Sequence, residues 1–217
     1  DAAFVEGLAE IAPGEGVLSE EGVQECPSTQ AYWVVDPLDG TTNFAAGIPY
    51  WAISIARFVD GEPSEAFLDI PSLRQRIVAI RGQGAWRNQK RLTPESRAAA
   101  GSSCVSLCSR SIRVLQKRPD QSFPGKIRLL GVASLNLVSV AMGQTAGALE
   151  ATPKIWDLAA AWLVLTELEC PLIWLGPHPA HLQPGRDLSE MGFPVVAAGS
   201  QKQLERLAPW GESLLKG

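Results

Sequence analysis

Hydrophobic residues at Phe4, Val5, Leu8 and Ile11 recur at helical spacing, so the chain opens in an amphipathic helix that Pro13-Gly14-Glu15-Gly16 stops. No capping residue precedes it, and the start reads as a sequence that has lost its beginning. A short strand at Val17-Leu18 delivers Ser19-Glu20-Glu21-Gly22, and a polar loop from Val23 to Gln30 follows. The apolar, β-prone run Tyr32–Val35 predicts a buried strand, ended abruptly by Pro37 and Gly40. Ile48–Ala56 is a further β-rich run that turns at Asp60-Gly61, and 66–68 and 75–80 extend an antiparallel series. Gly82-Gln83-Gly84 opens a turn with a small strand; with no helical pattern after it, its two glycines mark a tight turn rather than a nucleotide loop.

The second half alternates differently. Strands are predicted at 105–107, 127–130, 147–150, 172–175 and 195–198, and helices at 111–117, 133–142, 157–169 and 201–207, the last capped by Ser200. Asp157 falls at the start of its apolar helix, where a carboxylate suits the helix dipole. Strands grouped first, then mixed with helices, predict an α+β layered fold. One domain over residues 1–217 is expected, with an N-terminal part (1–100) and a C-terminal part (101–217).

Composition narrows the function classes. With 46% hydrophobic residues the 217-residue chain can bury a substantial core. A net charge of −4 argues against nucleic acid or an anionic membrane as the main partner, and the loose basic cluster from Arg110 to Arg128 reads as a solvated face. No apolar run is long enough to span a membrane, and the first residues lack the pattern of a signal peptide. Four cysteines (Cys26, Cys104, Cys108, Cys170) lack metal-type spacing, which favours a reducing, cytoplasmic setting. Cys104 and Cys108 would touch across a helix turn, although simple packing is the stronger reading.

The candidate chemistry begins with Trp33-Val34-Val35-Asp36-Pro37-Leu38-Asp39-Gly40-Thr41-Thr42-Asn43-Phe44. Two carboxylates held together at a strand terminus repel unless a proton or a cation sits between them. Backbone N–H groups at Gly40 and Thr41 suit an anion, so the segment reads as the kernel of a metal-dependent phosphate site. Glu20 and Asp157 also sit at element ends, and oxygen ligands of this kind suit magnesium completed by substrate phosphate. Each of the two has an ordinary reading, as a solvated loop residue and as a helix cap. The spacing excludes an EF-hand, which alternates its carboxylates and needs a glutamate where this chain has Gly47. It also differs from an aspartyl-nucleophile phosphatase, whose acidic residues commonly lie two apart.

Asp36-Pro37-Leu38-Asp39-Gly40-Thr41-Thr42-Asn43-Phe44 resembles the signature of the inositol monophosphatase family, within the lithium-sensitive, magnesium-dependent superfamily that includes fructose-1,6-bisphosphatase. Ile155-Trp156-Asp157-Leu158-Ala159-Ala160-Ala161 is similar to its second signature, and Ser19-Glu20-Glu21, the 82–88 segment and the block from Gly131 through Glu150 to Asp157 also fit. The resemblance implies an αβαβα sandwich, here lacking the N-terminal helix region, and a homodimer. It implies magnesium held by Glu20, Asp36 and the Leu38 carbonyl, and a second ion held by Asp36, Asp39 and Asp157. Gly40 and Thr41 N–H groups would bind phosphate, the Thr41 hydroxyl would help orient the attacking water, and Glu150 would contact substrate hydroxyls. The implied reaction is hydrolysis of a small polyol or sugar phosphate such as inositol monophosphate.

Three features depart from the family pattern. A Thr-x-x-Asp element that supports water activation would fall before residue 1. Ala146 replaces a polar residue common in members acting on inositol-type substrates, and Val132 and Ala133 make the Gly131 block more apolar. Open alternatives are a bisphosphate, a nucleotide 3′-phosphate or histidinol phosphate as substrate, or a metal-binding but catalytically silent relative.

Overall fold

The computed structural model describes residues 1–98 and 101–214. Helix α1 (Ala2–Ile11) leads into β1 (Gly16–Ser19), β2 (Ala31–Asp39), the short α2 (Thr41–Ala45), β3 (Ala52–Val59), β4 (Glu62–Ile70), β5 (Gln75–Ile80), β6 (Gly84–Arg87) and β7 (Lys90–Leu92). These seven strands form one sheet in chain order, with β1 parallel to β2 and every other neighbour antiparallel. After α3 (Pro94–Ala98) come β8 (Cys104–Leu107), α4 (Arg113–Lys117), β9 (Lys126–Arg128), α5 (Ala133–Ala141), β10 (Gly147–Glu150), α6 (Ile155–Glu167), β11 (Leu172–Trp174), β12 (Val195–Ala198) and α7 (Gln201–Glu212). The second sheet has the order β11-β12-β10-β8-β9, with β10 parallel to β8 and antiparallel to β12.

Strand periodicity assigns the layers. In β3, Ala52, Ala56 and Phe58 are buried toward α6, while Arg57 points to the opposite face and pairs with Glu15, just beyond α1. In β12, Val195 and Ala197 join the cluster around α5 and α6, whereas Val196 and Ala198 join Leu204, Leu207 and Trp210 of α7. Helices α5 and α6 are therefore the filling between two sheets, with α1 and α7 outside them. That filling is mainly apolar, with Ser134, Asn136 and Ser139 as the buried polar residues of α5, and nine of the thirteen α6 residues are buried. Phe58 is fully buried, stacked on Tyr32 with centroids 5.2 Å apart and edge-on to Trp162 at 6.0 Å. Replacing it (Phe58→Ala) is expected to cost about 3–5 kcal/mol, measured by urea unfolding at constant m.

Several sequence expectations need correction. Strand β2 does not end at Pro37 but continues to Asp39 through a register shift between Asp36 and Asp39. A bulge tolerates the N–H that proline lacks. Helix α6 starts at Ile155 with Lys154 in the N-cap position, so Asp157 is its third residue and caps the helix from there, and α7 continues past Leu207 to Glu212. Helices α2 and α3 and strand β7 lacked a periodic signal because each is five residues or fewer. Cys104 opens a strand that Cys108 follows, so the two are not joined across a helix turn, and all four cysteines are free. The Gly82-Gln83-Gly84 turn does link strands: its Gly82 and Gly84 N–H groups each donate to the Glu167 carboxylate at 2.8 Å. No helix among the described residues is long and apolar enough to cross a membrane.

Candidate metal centre

The three aspartates predicted from sequence meet in space. Asp36 and Asp39 leave the end of β2, Asp157 stands in the first turn of α6, and each offers an oxygen within 4.8 Å of the others. What makes the group unusual is how each carboxylate is held. Asp36 Oδ1 accepts from Leu38 N at 2.9 Å, while its Oδ2 is buried with no donor. Asp39 Oδ2 accepts from Ser134 N at 2.7 Å, at the N-terminus of α5. Asp157 Oδ2 accepts from Lys154 N at 2.8 Å, closing the capping box of α6. One oxygen of each is thus tied to backbone and the other is left for the cluster.

Glu20, close enough to Asp36 for the two carboxyls to influence each other, sits at the edge of this group rather than within its tightest contact. Its backbone is fixed by Glu20 N donating to Val35 O at 3.2 Å, which joins the end of β1 to β2. Burial, then the neighbouring carboxylates Asp39, Glu20 and Asp157, push the Asp36 carboxyl up to about 10. Burial and Asp39 push Asp157 up to about 8, and burial also raises Asp39 and Glu20. Such a site holds protons when no cation is present. An orphaned buried oxygen among convergent carboxylates fits a hard divalent cation.

The sign of the resulting pH dependence follows directly. A carboxyl raised in the fold binds its proton more tightly there than in the unfolded chain, so its contribution is fully present below about pH 4 and lost as pH rises toward 10. The melting temperature of chelated protein is therefore expected to fall between about pH 5 and pH 9, and added magnesium should reverse most of that fall at the alkaline end.

Next to the cluster, Gly40 precedes α2 with φ 96°. The Thr41 hydroxyl donates to the Leu38 carbonyl at 3.1 Å, so two residues singled out from sequence are hydrogen-bonded to each other. A cavity of about 380 Å³ opens over Asp39, Gly40, Thr41, Glu150 and Asp157. Glu150, at the end of β10, is 2% exposed; burial raises its carboxyl to about 8, and Asn136 Nδ2 donates to its Oε1 at 2.8 Å. Asn136 was not read as a site residue, although an asparagine at the centre of a mostly apolar helix was a usable signal. A larger concavity of about 670 Å³ lies near Trp86 and Arg74, away from the acidic cluster.

A two-sheet α+β sandwich with a buried carboxylate cluster at element ends defines the molecule as a layered protein with a candidate site for a hard divalent cation. Residues 1–208 match the inositol monophosphatase family, and the chain belongs to that family. It is similar to an inositol-1-monophosphatase of Mesorhizobium japonicum, with 32% identity over 209 residues covering 93% of this chain and 75% of that protein. A histidinol-phosphatase of Mycobacterium tuberculosis is 35% identical over 185 residues, covering 79% and 71%. Among solved structures, inositol monophosphatase II of Staphylococcus aureus superposes with a TM-score of 0.78 at 25% identity, covering 98% of this chain and 82% of that one. The chain spans between 62% and 75% of the length of eight curated relatives that it matches.

Proposed function

We propose that the chain is a magnesium-dependent phosphomonoesterase acting on a small phosphorylated polyol or sugar. The observation that carries this reading is the orphaned Asp36 Oδ2, buried where the Asp39 and Asp157 carboxylates converge. Glu20, Asp36, Asp39, Asp157 and the Leu38 carbonyl would hold magnesium, which supplies Lewis-acid neutralisation of phosphate charge and activation of water. The Gly40 and Thr41 N–H groups, presented where the chain turns into α2, bind phosphate oxygens, and the Thr41 hydroxyl, near Leu38 O, orients the attacking water. Glu150 accepts from hydroxyls of the alcohol, its position fixed by Asn136. Catalysis on this scheme is mostly positioning and charge neutralisation.

The test is phosphate release from inositol 1-phosphate, sugar phosphates, nucleoside phosphates and histidinol phosphate. Release is expected with magnesium, to be abolished by EDTA, and to be suppressed by millimolar lithium. Release undiminished by EDTA would sink the reading, and failure to hydrolyse any of the esters would favour a silent metal-binding relative.

A further inference from the structure

The basic cluster that begins at Arg110 reads from sequence as a solvated face, and Arg110 is exposed, yet its side chain also lines the rim of the cavity over the acidic cluster. Strands β8 and β10 are parallel neighbours, with Leu107 opposite Leu149, so residues 108–110 and 150–152 leave the sheet side by side. The two exits are stitched together: the Ser111 hydroxyl donates to Leu149 O at 2.8 Å, and Ala151 N approaches Cys108 Sγ at 3.4 Å. On this frame Arg110 Nη1 donates to Thr152 Oγ1 at 2.8 Å, and the side chain lines the same cavity as Glu150, Asp39 and Asp157. It is the one cationic side chain lining that cavity, and no ion pair with a carboxylate involves it among the described residues.

This placement divides the cavity. Asp39 and Asp157 belong to the pole that takes cation and phosphate; Glu150 and Arg110 leave adjacent strands on the side where the alcohol would lie. Glu150 alone would suit a neutral or cationic alcohol. A guanidinium with most of its N–H groups uncommitted suits an oxyanion, which it can grip with two parallel hydrogen bonds. A volume of about 380 Å³ falls in the range of small-ligand pockets and exceeds what one phosphate fills.

We propose that Arg110 is a specificity residue that selects phosphomonoesters whose alcohol carries a second anionic group, a phosphate or a carboxylate. This rests on the phosphatase reading above. Two measurements test it separately from that reading: kcat/KM with magnesium, and calorimetric Kd with calcium in place of magnesium, which registers binding without relying on turnover. Three esters are compared: fructose 1,6-bisphosphate, 6-phosphogluconate and inositol 1-phosphate. Wild-type protein is expected to favour the bisphosphate, or both anionic esters, over inositol 1-phosphate by about tenfold in each measurement. Preference for the bisphosphate alone assigns a phosphate, and preference for both assigns either oxyanion. Arg110→Ala should bring the ratios close to one, while Arg128→Ala, off the cavity, should leave them intact. Equal affinity of wild-type protein for all three esters, or an equal loss for all three in Arg110→Ala, would overturn the proposal. If no ester is hydrolysed, the phosphatase reading fails while the calorimetric ratios still decide the role of Arg110.

Discussion

Asp36→Asn is expected to lower magnesium-dependent phosphate release by about a hundredfold or more while making the metal-free protein more stable at alkaline pH. Both effects come from one carboxylate. Asp36 is 1% exposed, touches Glu20 and Asp157 electrostatically, and has an oxygen with no donor. A cation compensates these costs when bound; without it they are borne by the fold. An amide is neutral without taking up a proton on folding and supplies a donor to the neighbouring carboxylates, so chelated Asp36→Asn should gain at least about 1 kcal/mol near pH 8.5, a rise of roughly 2–4 °C in melting temperature. The backbone bond from Leu38 N can persist to the amide oxygen, so the bulge should survive. A variant that loses activity and loses stability in the chelated state would instead mark Asp36 as a structural residue.

Gly40→Ala is expected to be the most disruptive small substitution near the site. With φ at 96° a side chain is strained whatever the space around it, and a Cβ would lie 2.7 Å from Val132 Cγ2 and 3.3 Å from Trp51 Cβ. Together these should cost about 2–4 kcal/mol, measured by denaturant unfolding. Activity should fall further than stability requires, because Gly40 lies between Asp39 and Thr41 and any shift moves both. Adding Val132→Ala relieves the clash but not the backbone strain, so the double variant should recover part of the stability and not all of it. Wild-type stability in Gly40→Ala would contradict this geometry.

The parts of the site that were legible in the sequence are those carried by local pattern. Asp36, Asp39 and Gly40 follow an apolar strand and precede a turn, and that order alone indicates two carboxylates facing one point. Asp157 was legible only as one of a set beside the Asp36–Thr41 segment, since an acidic residue early in a helix is usually only a favourable end charge. Its capping bond to Lys154 N exists as well; the same carboxylate caps the helix and faces the cluster. The hidden parts depend on contacts distant in sequence. Nothing local indicates that Ser134 N reaches Asp39, 95 residues away, or that Asn136 reaches Glu150. The sheet order has the same character. Antiparallel neighbours joined by short turns, as from β3 to β6, follow from alternation and turn residues. The parallel pairing of β8 with β10 brings Arg110 to the cavity but crosses a long connection that leaves no periodic trace.

The most direct test of the carboxylate cluster is calorimetric titration of magnesium into chelated protein near pH 7.5, repeated in buffers with different ionisation heats. Asp36 and its neighbours hold protons in the metal-free fold, so binding should release protons to the buffer, and Asp36→Asn should weaken binding and reduce that release. Saturable binding with proton release is the expected result. No binding, or binding with the same heat in every buffer, would contradict a cation site built on these carboxylates.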